Sequence, residues 1–145
     1  MKKRPGGYYV NRHSCFLLQY HLVLVTKYRH PVICGEVEEF LKEYTADYMK
    51  KQGLHLLAVE CMPDHMHILF EATPQTDLAK LINAFKSASS RVIRNRFAEE
   101  LIPYYRKPYF WSLSYFIGTV SERTTGIVET YIRNQKNNPH SPTSD

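Results

Sequence analysis

The sequence lacks the features of disulfide-rich, zinc-ribbon and membrane-spanning proteins. Its three cysteines are far apart and include no CxxC pair, so neither a disulfide framework nor a zinc knuckle is expected. No apolar run approaches the ~20 residues needed to cross a bilayer. The basic first residues are also not followed by the apolar segment that a secretory signal requires. These absences predict a soluble, cytoplasmic protein with no membrane partner.

Positive charge and aromatic side chains are what the chain does have. The net charge is +5, and aromatic residues make up 13% of the sequence, including eleven tyrosines. A basic surface suits a polyanionic partner. Proteins that bind single-stranded nucleic acid stack bases on such rings. The composition therefore favours a nucleic-acid partner, and the 145 residues fit one compact domain.

Hydrophobic periodicity predicts the element order β-α-β-β-α-β followed by a short helix. In chain order, the predicted elements are strand 20–28, helix 36–52, strands 54–62 and 65–71, helix 77–97, strand 109–120 and helix 127–136. This order matches a ferredoxin-like (RRM-like) α+β fold, an antiparallel sheet with two helices on one face. The predicted domain covers residues 15–137, between a basic N-terminal tail, 1–14, and a polar C-terminal tail, 138–145.

His65 and His67 carry the first indication of chemistry. Residues i and i+2 of a strand lie on the same face, so the two imidazoles could bind one metal ion. Met66, Ile68 and Phe70 would then point to the other face, towards the helices. Two surface histidines on a half-exposed strand would show the same pattern, so the pair needs its context.

The last predicted helix supplies that context through Tyr131 and Gln135. Residues at i and i+4 share one side of a helix, so the Gln135 carboxamide could complete a metal site with open positions for water and substrate. Because all three ligands are neutral, the ion would keep its charge and suit an anionic phosphodiester. Tyr131 would supply a nucleophile beside it. Taken alone, Tyr131 is better explained as one more core aromatic, since the chain contains eleven tyrosines.

Four ordered motifs make the sequence recognisable. They are the strand Tyr20–Arg29, the segment Met62–His67, the aromatic strand Trp111–Val120, and Tyr131 with Gln135 four residues later. Together they resemble the HUH single-tyrosine transposases, which serve minimal bacterial and archaeal insertion sequences of the IS200/IS605 group. The similarity extends over residues 14–137.

The resemblance implies a metal-dependent DNA transposase that acts on single-stranded DNA. Tyr131 would attack at an element end, forming a 5′-phosphotyrosine and releasing a 3′-hydroxyl. His65, His67 and Gln135 would hold Mg²⁺ or Mn²⁺, although two imidazoles alone suit zinc and other transition metals equally well. Members of the family recognise DNA hairpins and act as homodimers, in which the tyrosine helix can complete the partner's active site.

Six basic residues are candidates for DNA contacts. They lie at the end of the first strand, on the polar face of the second long helix, or beside the tyrosine: Lys27, Arg29, Arg91, Arg94, Arg133 and Lys136. Phosphate contacts by such residues would make DNA binding strongly dependent on salt. Surface charges also serve solubility, and the sequence does not separate the two roles.

Other functions share parts of this pattern. A repeat-associated tyrosine transposase acting on chromosomal palindromes would carry the same residues, and only the neighbouring DNA would distinguish it. Replication initiators and relaxases share the His-x-His chemistry but are usually larger. A non-catalytic nucleic-acid-binding module of the same fold usually displays aromatic and glycine-rich motifs where this chain has histidines. A metal-storage or metal-sensing role would leave Tyr131 unexplained.

Overall fold

Seven strands and four helices form the described part of the chain. The computed structural model describes residues 2–3, 8–120 and 129–134, with side chains from residue 8 onward. The strands are β1 (Lys2–Lys3), β2 (Tyr9–Val10), β3 (Cys15–Phe16), β4 (Leu18–Thr26), β5 (His55–Met62), β6 (His65–Ala72) and β7 (Trp111–Thr119). The helices are α1 (Glu36–Lys51), α2 (Leu78–Arg96), α3 (Ala98–Leu101) and α4 (residues 129–134).

The main sheet has the strand order β5-β6-β4-β7, with every neighbouring pair antiparallel. The connection from β4 to β5 contains α1, and the connection from β6 to β7 contains α2 and α3. This is the ferredoxin-like arrangement, so the predicted α+β class and element order are confirmed. The face of the sheet opposite α1 and α2 is called the open face below.

Helix α1 forms where the sequence places an apolar stripe between two glycines, Gly35 directly before the helix and Gly53 shortly after it. Gly35 and Gly53 have φ values of 55° and 73°, which non-glycine residues rarely adopt. Acidic residues fill the first turn and lysines the last, which suits the helix dipole at both ends. Buried residues recur at helical spacing along one side: Val37, Leu41, Thr45 and Met49.

The second long helix, α2, is fixed at its start by a side-chain cap. The Asp77 carboxylate accepts a hydrogen bond from the Lys80 amide at 3.1 Å. The helix buries Leu81, Ile82 and Phe85, which recur at helical spacing along one side. Short helix α3 follows directly and was not predicted, because a four-residue helix carries too few residues to show a periodicity.

The β5–β6 hairpin turns at Pro63 and Asp64, as predicted. In β6 the side chains of Met66, Ile68 and Phe70 are each fully buried on the helix side of the sheet. Burial of each such side chain contributes about 1.5–3 kcal/mol to the free energy of folding. Because this packing fixes the register of the strand, it also fixes which side chains reach the open face.

The first core strand lies two residues earlier than predicted, at Leu18–Thr26 rather than 20–28. Lys27 to Arg29 form a 3₁₀ turn instead, in which Tyr28 and Arg29 have φ values of 59° and 53°. The Thr26 hydroxyl closes this turn by donating to the carbonyl of His30 at 2.8 Å. A left-handed backbone cannot continue a strand, so β4 ends at Thr26.

The predicted N-terminal tail is corrected for residues 8–14. Strand β2 pairs with β1 and β3, and the Tyr9 side chain is only 2% exposed. Its hydroxyl donates to Glu71, a carboxylate that is 1% exposed and also accepts from Gln19 at 2.9 Å. A buried carboxylate in a core strand needs such donors, which explains why this segment folds back onto the domain.

The C-terminal end and the membrane prediction need only brief comment. The predicted C-terminal tail, 138–145, lies outside the described residues. Within the predicted last helix, 127–136, residues 129–134 are described and are helical. Over the part of the chain with described coordinates, no helix has the length and apolarity that crossing a membrane requires.

Candidate active site on the open face

His65 and His67 lie side by side on the open face. Their ring centroids are 5.0 Å apart and the rings are nearly perpendicular, at 72°. Both side chains are partly exposed, whereas Met66 between them is buried against the helices. The strand alternation predicted from the sequence is thus confirmed, and the two imidazoles are close enough for one ion to contact both.

His65 is held by the neighbouring Asp64. The His65 Nδ1 atom lies 2.7 Å from Asp64 Oδ1, and the other carboxylate oxygen accepts two bonds from Arg29, from Nε at 2.8 Å and Nη2 at 2.6 Å. Burial raises the pKa of Asp64, but the hydrogen bonds from His65 and Arg29 outweigh burial and lower it overall. Asp64 is therefore a charged acceptor that orients the His65 ring.

A third histidine, His21 of β4, holds His67. The His21 Nε2 atom lies 2.9 Å from His67 Nδ1, and the ring centroids are 5.1 Å apart. Burial, with the neighbouring imidazoles of His65 and His21, lowers the pKa of His67 to about 4. Burial lowers the pKa of His21 as well. His67 is therefore neutral near pH 7, which is the form that binds metal ions.

The tyrosine predicted as nucleophile lies on this same face. Tyr131 and Ile132 of α4 pack against Val23 and Val25, which are 0% and 1% exposed. The Tyr131 ring also contacts Phe116 of β7, with centroids 5.8 Å apart. Helix α4 therefore covers part of the open face, which explains why Val23 and Val25 are buried there.

The hydroxyl of Tyr131 is fixed in place by β7. It shares a hydrogen bond of 2.8 Å with the Ser114 hydroxyl, in which either oxygen can donate. Ser114 and Phe116 are two residues apart on the strand and thus lie on the same face. The ring and the hydroxyl of Tyr131 are consequently both positioned by one strand.

Arg29 joins the tyrosine helix to the histidine pair. Its Nη1 atom donates to the carbonyl of Ile132 at 3.1 Å, while Nε and Nη2 bind Asp64. The left-handed backbone at Tyr28 and Arg29 brings the guanidinium to this position, and strained residues of this kind are concentrated at functional sites. Arg29, predicted to contact DNA, thus has its donors engaged within the protein.

The third metal ligand predicted from the sequence, Gln135, lies outside the described residues, as does Lys136. Among the residues that are described, no group of three His, Cys, Asp or Glu side chains could hold a metal ion. His21 therefore does not act as a third ligand beside His65 and His67 in this arrangement.

Three of the basic residues predicted to contact DNA meet in one groove between α2 and the start of β7. The groove has a volume of about 590 Å³, and none of the described residues that line it is acidic. Lys27, Arg91 and Arg94 contribute to it, together with Lys86, Tyr109 and Trp111 among others. This region is called the α2–β7 groove.

The charges of the groove differ in exposure. Arg91 is exposed, and Arg94 is half-buried with its Nε atom 3.2 Å from the Ser90 hydroxyl. Lys27 is only 7% exposed and lies over the Tyr109 ring, with its Nζ atom 4.4 Å from the centroid. Burial lowers the pKa of Lys86 to about 8. The two arginines are thus the cations best placed to reach a ligand. Arg133, the remaining candidate, is exposed on α4.

Three site residues were not predicted from the sequence: His21, Asp64 and Ser114. The sequence indicated a role for Asp64 only as a turn former, and the strand containing His21 was interpreted as core. A histidine on the alternate face of an apolar strand could have indicated a site. Its contact with His67, however, depends on a strand pairing that the sequence does not specify.

These features define a class of protein. A ferredoxin-like sheet whose open face carries a His-x-His pair and a helix-borne tyrosine is the arrangement of the single-tyrosine transposases. The family follows from comparison with known sequences. Residues 14–135 match the family described as "Transposase IS200 like", and the chain belongs to that family.

Two characterised relatives extend over most of the chain. It is 39% identical over 138 residues to the ISDra2 transposase TnpA of Deinococcus radiodurans, covering 93% of this chain and 91% of that protein. It is 28% identical over 123 residues to the transposase for insertion sequence element IS200 of Salmonella typhimurium, covering 85% and 80% respectively. The chain is therefore a transposase, an enzyme that cleaves and joins DNA during transposition.

Solved structures confirm the fold. A crystal structure of a protein from Deinococcus radiodurans R1, assigned as a transposase, superposes with a TM-score of 0.81 at 38% identity. The match covers 88% of this chain and 97% of that one. A repeat-associated tyrosine transposase bound to a REP hairpin superposes with a TM-score of 0.54 at 9% identity, which shows a shared fold alone.

Proposed function

We propose that this transposase nicks and rejoins single-stranded DNA at the hairpin-bearing ends of an insertion sequence, with Tyr131 as the nucleophile. One observation carries the proposal: Tyr131 packs against the Val23 and Val25 pair of β4, whose register partners on β6 are His67 and His65. The Tyr131 hydroxyl lies at Ser114 of β7, two strands from β6. Neighbouring strands lie about 4.8 Å apart, so the separation of about 10 Å leaves room for a metal ion and a phosphodiester between the histidine pair and the tyrosine.

The proposed step is a transesterification at phosphorus. The Tyr131 Oη atom forms a bond to phosphorus while the bond from phosphorus to the 3′ oxygen breaks. The phenol loses its proton and the departing oxygen gains one, which leaves a 5′-phosphotyrosine and a free 3′-hydroxyl. Because the phosphodiester bond energy is kept in the covalent intermediate, a 3′-hydroxyl can later displace the tyrosine without ATP.

We also propose that His65, His67 and Gln135 hold a divalent ion, Mg²⁺ or Mn²⁺. The two histidines fit such an ion because each Nδ1 atom is hydrogen-bonded. In the described part of the chain, neither Nε2 atom makes a hydrogen bond, so both remain open to a ligand. When bound, the ion would polarise the phosphodiester and offset the charge that develops on it.

The α2–β7 groove is the proposed surface for the DNA backbone. It collects positive charge next to aromatic rings and, in its described lining, has no carboxylate that would repel phosphate. The structural relative bound to a REP hairpin supports a hairpin as the DNA form, since the two proteins share a fold. Arg91 and Arg94 would make the phosphate contacts.

Replacing Arg91 and Arg94 by glutamine is expected to weaken binding of a hairpin-bearing single strand. Loss of two phosphate contacts should also reduce the slope of log K against log salt concentration by about 1.4–1.8, depending on whether duplex or single strand is contacted. Fluorescence anisotropy over a salt series measures both quantities. The matched control is Lys50→Gln with Lys51→Gln on exposed α1 positions, which removes the same charge. Equal slopes for the two double variants would place the DNA elsewhere.

We further propose a homodimer in which each tyrosine serves its own chain, since α4 packs on the sheet of the same molecule. Mixing the Tyr131→Phe and His67→Ala proteins tests this arrangement. If the tyrosine acts in cis, neither chain of a mixed dimer has a complete site, and no covalent DNA adduct should form. An adduct on the His67→Ala chain would instead show that the helix completes the partner's site. Light scattering of the same mixture establishes the dimer.

The proposal as a whole is tested by incubating the protein and Mn²⁺ with labelled single-stranded DNA that contains a hairpin. A protein–DNA adduct that resists denaturation is the expected product. DNA binding without any adduct would leave the chain as a binding module and would contradict the nickase function.

A further inference from the structure

Among the described residues, the open face carries three imidazoles, of which His21 is not one of the proposed metal ligands. His21 lies opposite Leu69, and His67 lies opposite Val23, so the two histidines are diagonal neighbours on adjacent strands. Diagonal pairs are within reach of long and aromatic side chains. The 2.9 Å separation of His21 Nε2 and His67 Nδ1 shows that this pair uses that reach to form a hydrogen bond.

His65 has an equivalent contact from a different residue. Its Nδ1 atom is 2.7 Å from Asp64 Oδ1, and Arg29 holds the second oxygen of that carboxylate. Each histidine of the pair is therefore engaged at the same ring nitrogen, although one partner is a carboxylate from the turn and the other an imidazole from the adjacent strand.

The engaged nitrogen determines which nitrogen remains for a metal. A neutral imidazole has one N–H donor and one lone pair, and the hydrogen bond at one nitrogen selects the tautomer. Asp64 can only accept, so His65 donates from Nδ1 and keeps a lone pair on Nε2. If His67 donates from Nδ1 to His21, its lone pair is likewise on Nε2. Metal-binding histidines usually have an outer partner of this kind.

We propose that His21 is a positioning residue for the metal ligand His67, selecting the tautomer whose Nε2 lone pair faces the ion, as Asp64 does for His65. This inference rests on the proposed metal-dependent function. It assigns His21 no contact with the ion itself, in agreement with the absence of a three-ligand group among the described residues.

Replacing His21 tests the inference through metal binding rather than through DNA cleavage. His21→Leu removes the acceptor, and the dissociation constant for Mn²⁺, measured by calorimetry on the full chain, is expected to rise about 10–100-fold. His21→Gln restores an acceptor through its amide oxygen and should bring the constant back to within about threefold of the wild-type value, since only the bond to His67 is required. His13→Leu, at an exposed histidine, is the matched control and should bind Mn²⁺ as the wild type does.

The tautomer is observed directly by ¹⁵N NMR of the histidine side chains in the metal-free protein. Wild-type His67 should be protonated at Nδ1, and His21→Leu should give a mixture of tautomers, a change that general loss of stability would not produce. Wild-type metal affinity and an unchanged tautomer in His21→Leu would overturn the positioning role alone. A wild-type protein that binds neither Mn²⁺ nor Mg²⁺ would overturn the metal site and the positioning role together.

Discussion

The Tyr131→Phe protein is expected to form no covalent adduct with single-stranded DNA, a decrease of at least about a thousandfold, because removal of a nucleophile leaves only binding and electrostatic contributions. The change deletes one oxygen. The ring should keep its packing against the Val23 and Val25 pair and its contact with Phe116, and loss of the bond to Ser114 should cost about 1 kcal/mol of stability. DNA affinity should therefore stay near the wild-type value while the adduct disappears from a denaturing gel.

The matched control for this prediction is Tyr104→Phe. Tyr104 is 39% exposed, lies in the loop between α3 and β7, and has its ring 5.4 Å from that of His30. This variant should form the adduct at the wild-type rate, which shows that deleting a phenol oxygen is harmless elsewhere. If Tyr131→Phe still formed the adduct, another of the eleven tyrosines would be the nucleophile and the proposed site would be wrong.

The elements of the fold could be predicted because their periodicities are strong. In β6, buried apolar side chains alternate with partly exposed ones, and a glycine flanks α1 on each side. The failures have local causes. The turn at Tyr28 and Arg29 has a left-handed backbone, which residue type does not indicate outside glycine and asparagine. The N-terminal strands escaped prediction because Tyr9 is held by Glu71, a partner 62 residues away.

The candidate site was predictable only in its sequence-local parts. His65 and His67 share a face because they are two residues apart, whatever the rest of the chain does. His21 reaches His67 through the β4–β6 register, over a separation of 46 residues. Arg29 reaches Ile132 over 103 residues, and no spacing rule covers such distances. The result is that the candidate ligands follow from spacing, whereas the contacts of His21 and Arg29 follow only from the tertiary structure.

Arg29 connects two parts of the site that are far apart in the sequence, the turn at Asp64 and the tyrosine helix. One guanidinium binds the carboxylate that orients His65 and the Ile132 carbonyl of the tyrosine helix. Charge-assisted hydrogen bonds of this kind are shorter and stronger than neutral ones. The proposed nucleophile and one proposed metal ligand are thus held by the same side chain, so their relative position does not depend on the sheet alone.

The His67→Ala protein is expected to lose both metal binding and adduct formation. Removal of a ligand should raise the dissociation constant for Mn²⁺ by at least about a hundredfold, because loss of an outer-shell partner alone costs up to that much. The fold should survive, since His67 is half-exposed and points away from the packed side of β6. A change in unfolding free energy below about 1 kcal/mol is expected for such a position. Calorimetry with Mn²⁺, the adduct gel and urea unfolding measure the three quantities.

Chelation separates loss of the metal from loss of the imidazole. EDTA should abolish the adduct of the wild-type protein, and added Mn²⁺ should restore it. The same addition should not restore the His67→Ala protein, because that chain keeps only one of its two imidazole ligands at the site. His13→Ala, which changes an exposed histidine, should respond to EDTA and Mn²⁺ as the wild type does. A wild-type level of adduct from His67→Ala would show that His67 is not a ligand, because Tyr131 and its contacts are unchanged in that variant.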